Sequence, residues 1–344
     1  MRRRFATLDV FTGRPFAGNP LAVVLEAEGL ETDAMQAIAR EFSHPETVFV
    51  FAPGDARNRA RVRIFTPARE LPFAGHPTVG TAVLLALRDH AAAGSDLVLE
   101  EVIGLVRCTL ESVGDGGGGA RFALPQLPAK AGPAADAAVI AAALSLAPGE
   151  IDGGASRWSA GIPLTFVPLA GLAAAARCRP DAAKFAAAFP DGAAYVFCSE
   201  PAEPGHHFHV RMFAPGLGVP EDPATGSAAA AFAGLLAPRL PEGTHAIVIE
   251  QGYEMGRPSL IRLAAQVRAG KLVSASIGGD AVVVTEGHDR GLTDRGYRRA
   301  SARWLKVKMA VLPPDSHSAC EAGGSSARTA PQPRTTAALI REVA

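Results

Sequence analysis

Glu46 is the residue whose type and setting best suit proton transfer. Its neighbours Pro45, Val48 and Phe49 are apolar, and a partly buried carboxyl has its pKa raised from about 4.3 toward neutrality. Such a group can both take and return a proton near pH 7, which an isomerase needs. On position alone, however, the ordinary reading prevails: a solvated or capping glutamate at a helix end. His76 follows Gly75 at an expected helix start. There it would orient a substrate or serve as a second acid or base, although a polar cap in a tight turn accounts for it equally well. Gly75 allows close backbone approach. The run Glu221-Asp222-Pro223-Ala224-Thr225-Gly226-Ser227 places a carboxylate and two hydroxyls beside another helix start. Asp222 suits plain capping, but the small residues at once downstream favour a site for a polar, anionic molecule at exposed N–H groups. Asn19, in Gly18-Asn19-Pro20, would donate its amide to the site or simply make a turn. His206, His207 and His209 suggest a metal. Alternation puts His207 and His209 on one strand face, but no third ligand with suitable spacing accompanies that pair, so a half-exposed strand and no metal are expected.

The elements that must position these residues follow from the hydrophobic pattern. Met35, Ile38, Ala39 and Phe42 fall on one helical face, with Thr32 or Asp33 as the cap. Pro45 ends that helix, because proline disfavours helix in the residue before it. Residues 47–51 then read as a strand, which leaves Glu46 at a helix-to-strand joint. Residues 5–10, 20–25 and 61–65 read as strands, and a helix is expected from His76 or Pro77 to about residue 88. Residues 97–110 are β-rich, and the glycines of 114–119 make a flexible connection, since the Gly-Lys-Ser/Thr ending of a phosphate loop is missing. Residues 125–133 read as a crossing linker. Helices are expected over 134–146, over 180–189 and after Thr225, and strands over 158–169, 194–199, 207–213, 246–251, 259–267 and 272–285.

Length and composition bound the rest. The 344 residues suit two domains, or one large domain with a tail, and 48% of them are apolar. The 34 basic and 34 acidic residues cancel, which leaves no electrostatic footprint for nucleic acid. No apolar run is long enough for a membrane span, and the basic start leads into a strand rather than a signal core. Cys108, Cys178, Cys198 and Cys320 form no close pair, as expected of a cytoplasmic protein with free thiols.

Two segments resemble each other. Arg63-Ile64-Phe65-Thr66-Pro67, Pro72 and Gly75-His76-Pro77-Thr78 match Arg211-Met212-Phe213-Ala214-Pro215, Pro220 and Asp222-Pro223-Ala224-Thr225, the threonines after a one-residue slip. Each runs strand, loop, helix start, so the chain reads as two copies of one α+β unit with the site between them. The boundaries expected are 1–127 for the N-terminal lobe and 128–286 for the C-terminal lobe, with a last strand near 275–285 returning to the first. Residues 287–344 read as a disordered tail, with 300–312 able to order locally.

In order along residues 5–287, several motifs resemble the PhzF-like phenazine-biosynthesis isomerases. They are Asp9-Val10-Phe11-Thr12, Phe16-Ala17-Gly18-Asn19-Pro20, the Glu46-Thr47 pair, Gly75-His76-Pro77-Thr78, Glu221 to Ala228, Gln251-Gly252 and Met255-Gly256-Arg257-Pro258-Ser259. The resemblance implies a diaminopimelate epimerase-like fold: two pseudo-symmetric lobes, each a curved, mostly antiparallel sheet wrapped around a central helix. It implies a homodimer that needs no cofactor and acts on a small anionic metabolite. In the family's namesake activity a dihydro-hydroxyanthranilate undergoes a proton shift. By that likeness Glu46 carries the proton, His76, Asp222 and Ser227 position the substrate and steady charge, and Gly75 and Gly226, with Asn19 and Thr225, bind it. Two other readings stand beside this one: a racemase or epimerase of the same fold, which would need two opposed thiols, and a relative that binds a metabolite or partner without catalysis.

Overall fold

The computed structural model describes residues 3–289; most of the expected tail, with the segment 300–312 and Cys320, lies outside the described residues. Residues 287–289 do not belong to a tail, because they continue a strand. The first half of the chain runs β1 (Arg3–Val10), β2 (Asn19–Val24), α1 (Thr32–Phe42), β3 (Glu46–Phe51), β4 (Ala60–Phe65), β5 (Glu70–Leu71), α2 (Gly75–Asp89), β6 (Asp96–Glu101), β7 (Gly104–Gly114) and β8 (Gly117–Ala123). The second half runs β9 (Ala129–Lys130), α3 (Ala137–Ala143), β10 (Ser156–Ser159), β11 (Pro163–Pro168), α4 (Leu172–Arg177), α5 (Ala182–Ala188), β12 (Ala194–Cys198), β13 (Phe208–Ala214), β14 (Val219–Asp222), α6 (Gly226–Leu236), β15 (Gly243–Gln251), β16 (Ser259–Arg268) and β17 (Lys271–Asp289).

Side-chain alternation explains how each sheet is covered on both faces. In β3, Val48 and Val50 point into the core shared with α2, while Phe49 and Phe51 point the other way, onto Met35, Ile38 and Ala39 of α1. In β12, Tyr195 and Phe197 face the core with α6, and Ala194, Val196 and Cys198 face α3 to α5. Helix α2 is apolar all round and buried from Gly75 to Ala86, as a helix enclosed by a sheet must be. Strands β1, β2, β3, β4, β6, β7, β8 and β17 pair in a closed ring around it, which removes free edges. The second half wraps α6 with β10 to β13, β15, β16 and the start of β17. One apolar core joins α2 to α6.

The pairing order of the first half recurs in the second. Strand β2 is parallel to β3 and β4 to β6; β11 is parallel to β12 and β13 to β15. The registers superpose residue on residue: Thr47 opposite Phe65 matches Ala194 opposite Phe213, and Ile64 opposite Leu71 matches Met212 opposite Asp222. Arg63 clamps Glu70 as Arg211 clamps Glu221, each through two guanidinium nitrogens. The helix starts, however, pair Gly75 with Gly226, not Gly75 with Asp222, because a 3-10 turn at Pro215–Leu217 lengthens the second loop. The cap of α1 also differs from expectation: Glu31 occupies it without a side-chain bond, and the Thr32 hydroxyl accepts from Arg63 instead.

Candidate active site

The starts of α2 and α6 meet at two glycines. A Cβ on Gly75 would lie 3.1 Å from Gly226 Cα and 3.4 Å from the Ser227 nitrogen, and a Cβ on Gly226 would lie 3.3 Å from Gly75 Cα. Any larger residue would push the helices apart. Neither start has a side-chain cap, so N–H groups of both first turns are left for other partners.

Beside this junction, Glu46 opens β3 and His76 lies in the first turn of α2. Their nearest atoms, Glu46 Oε2 and His76 Nε2, are 3.4 Å apart. Both are buried and neither has a hydrogen-bond partner. This is not an ion pair. Burial, and then the negative charge of Asp222, push the Glu46 carboxyl up to about 8. Burial pushes the His76 imidazole down to about 3, against a hydrogen bond to the Pro20 carbonyl. Near neutral pH the carboxyl therefore holds the proton, and His76 Nε2 offers a bare lone pair.

Asp222 closes β14 rather than capping α6; the cap is Thr225. The carboxylate accepts from Asn19 Nδ2 at 2.8 Å and from Thr225 Oγ1 at 2.5 Å. Burial raises it to about 6 even so. Asn19, fully buried, spends its second amide hydrogen on the Ala224 carbonyl at 2.8 Å. It therefore has no donor for a substrate, contrary to expectation; its Oδ1 is left unpartnered. Thr225 is likewise occupied internally. Its N–H donates to Gln251 Oε1 and its hydroxyl accepts from Gln251 Nε2, which also donates to the Asp222 carbonyl at 2.7 Å. Ser227 is half-buried in the first turn of α6. All eight expected residues thus lie together, but the side chains of Asn19 and Thr225 are spent on partners within the protein.

Sequence reasoning missed several neighbours. Gln251 is fully buried and holds the Asp222–Thr225 turn. Arg257 binds the Asp9 carboxylate and the Ala17 and Gly18 carbonyls, which ties the loop after β1 to the loop after β15. Gly18 is required there: its φ is +64° and a Cβ would stand 2.3 Å from the Val10 carbonyl oxygen. His44 sits near this clamp, its pKa lowered by burial despite Asp9. Asp9 and Gly18 lie in the early motifs and Gln251 and Arg257 in the late ones, while nothing in local spacing marks His44. The histidine strand is not half-exposed as expected. His209 is buried between Glu250, 3.1 Å from Nδ1, and Glu254, 3.0 Å from Nε2, and His206 contacts Glu250 at 2.6 Å. The carboxylates draw both imidazoles inward.

A carboxyl thus faces a neutral imidazole beside the junction of two helix starts. Comparison with known proteins names the class. The phenazine biosynthesis-like protein family matches residues 8–287. An uncharacterized isomerase of Mesorhizobium japonicum is 50% identical, over 83% of this chain and 98% of its own. The trans-2,3-dihydro-3-hydroxyanthranilate isomerase of Pseudomonas aeruginosa is 36% identical, over 83% and 98%. A crystal structure of a PhzF-family phenazine biosynthesis protein from Bacillus anthracis aligns with a TM-score of 0.76 at 26% identity, over 84% and 99%. The protein is an isomerase with a mixed, barrel-like sheet. It belongs to the phenazine biosynthesis-like (PhzC–PhzF) family.

Proposed function

We propose that the protein shifts a proton between two carbons of a small, cyclic, unsaturated carboxylate, chemically akin to trans-2,3-dihydro-3-hydroxyanthranilate, without a cofactor. Glu46 in its ionised form takes a proton from one ring carbon. The electron pair left behind spreads through the conjugated system toward the substrate carboxylate, and the Glu46 acid returns the same proton to a second carbon. One C–H bond breaks and one forms, so the substrate's formula is unchanged. His76 Nε2 accepts a hydrogen bond from the substrate or from the Glu46 acid, and the free N–H groups at Gly226 and Ser227 face the developing negative charge. Asp222 stands opposite as the second charged wall. Two lobes closing on this cleft, and a homodimer in solution, belong to the same reading; light scattering at the mass of a monomer would remove the dimer from it.

The observation that carries the reading is Glu46 itself: half-buried, with its Oε2 buried and unpartnered, 3.4 Å from His76 and within the field of Asp222. A binder without catalysis has no use for an acid desolvated in this way. The racemase alternative is disfavoured by chemistry. The helix starts carry glycines, and the described thiols are buried and pushed away from the thiolate, Cys178 to about 12 and Cys198 to about 11. Incubation in deuterated water with the hydroxyanthranilate-type substrate tests the proposal. Wild type should isomerise it, and Glu46→Gln should be slower by about 10²–10⁴-fold, the usual worth of a general acid–base. Equal isomerisation and equal deuterium uptake by the two proteins would discard Glu46 as the proton carrier.

A further inference from the structure

The superposed registers extend beyond the segments that first revealed the repeat. Arg61 pairs with Glu100 in the parallel β4–β6 ladder as His209 pairs with Glu250 in β13–β15. Leu97-Val98-Leu99-Glu100-Glu101 therefore corresponds to Ile247-Val248-Ile249-Glu250-Gln251. The first glutamate does the same work twice. Glu100 accepts the backbone N–H groups of Gly54 and Asp55 and the Asn58 amide; Glu250 accepts those of Ala202 and Glu203 and contacts His206. The residue after it, Gln251, holds the start of α6. Its counterpart Glu101 is buried beneath the first turn of α2, 2.7 Å from Thr78 Oγ1, and that hydroxyl is 2.8 Å from the Ala74 carbonyl.

We propose that Glu101 is a positioning residue for the α2 side of the site: through Thr78 it fixes the turn that carries Gly75 and His76, as Gln251 fixes the turn that carries Thr225 and Gly226. This rests on the isomerase reading given above. Thr78 has one hydroxyl proton, and the Ala74 carbonyl can only accept. Both contacts are made at once only if Glu101 donates, that is, if it is the neutral acid. The buried Glu101 Oε2 has no partner, which an ionised carboxylate would not tolerate but a carbonyl oxygen does. From β7 the titratable group against it is Cys108, whose thiol is itself pushed up by burial. Burial raises Glu101 to about 8, so the turn should loosen as pH rises through that value. A glutamine, the residue used in the second half, reproduces the donor without the titration.

The test compares wild type, Glu101→Leu, Glu101→Gln and Thr78→Val. Turnover is measured, and so is backbone deuterium exchange of residues 74–79, which needs no substrate. In Glu101→Leu and Thr78→Val, kcat should fall about 10–100-fold, the scale of a misplacement near 1 Å, with KM little changed and exchange at the turn faster. Glu101→Gln should restore both, and its exchange should lack the wild type's rise above about pH 8 once intrinsic exchange is divided out. Wild-type kcat and wild-type exchange in Glu101→Leu would overturn the proposal, as would Glu101→Gln behaving like Glu101→Leu. Absence of turnover in wild type would sink the substrate reading alone, since the exchange comparison still decides the role of Glu101.

Discussion

A carboxylic acid set against an imidazole normally gives up its proton; between Glu46 and His76 the proton stays on the acid. Burial disfavours either charge, and the nearby Asp222 charge opposes ionisation of Glu46 in particular. This makes Glu46 a destabilising group at alkaline pH. Its folded value of about 8 stands above its ordinary 4.5, so any stability it contributes is fully present below the lower value and is lost as pH rises through the higher one. Glu46→Gln removes that penalty. Between about pH 5 and about pH 9 the variant should gain stability over wild type, on the order of 1 kcal/mol or more at the upper end. Urea titrations at both pH values check it; a constant difference would show that the carboxyl is not held protonated in the fold. The direction was legible around Glu46 in the sequence, because its apolar neighbours implied desolvation, the larger cause. The added charge of Asp222 and the facing imidazole come from distant segments and were not.

Among the elements, the two helix starts do most to shape the site, and they do it by meeting at residues that lack side chains. Gly75→Ala sets a methyl 3.1 Å from Gly226 Cα and 3.3 Å from its carbonyl carbon, backbone atoms that cannot swing aside. The helices must separate, at a cost of about 1–3 kcal/mol, and His76 moves with α2. Turnover should fall by more than the stability loss alone would suggest. Calorimetry and steady-state kinetics on the same preparation measure both effects; a variant unchanged in each would mean that the junction is looser than the geometry requires. The helix starts were readable, since Gly-His-Pro and Pro-Ala-Thr-Gly are strong punctuation. Their partnership was misread by sequence alignment, because Asp222 resembles a cap and the longer second loop shifts the true match to Gly226. Of the buttress beneath them, Gln251 stood in a family motif without a role, and Glu101 was hidden because an unbroken apolar run precedes it and the acid reads as a strand-end charge.

At the scale of the whole molecule the duplication is structural but not chemical. Where the first half has Glu46 the second has Ala193, and where the second half has Asp222 the first has Leu71, by the matched registers of β3 with β12 and of β5 with β14. Glu46 on one side and Asp222 on the other therefore require both halves in one rigid unit. Strand β17 supplies that rigidity. It pairs with β16 over Lys271–Gly278, with β8 from Ser276 and with β1 to Asp289. Ile277, fully buried, lies opposite both Leu263 and Phe122. Ile277→Ala should lose about 2–5 kcal/mol, as for other buried aliphatic truncations, and the loss should be felt equally by both halves. Hydrogen exchange followed through a urea series reads this directly: peptides from β2 and from β12 should lose protection at the same lowered denaturant concentration. If β12 kept its wild-type midpoint while β2 shifted, the halves would unfold separately and β17 would be a passive edge. Coincident shifts would tie the duplicated scaffold, and the two unduplicated carboxyl groups it brings together, to one cooperative fold.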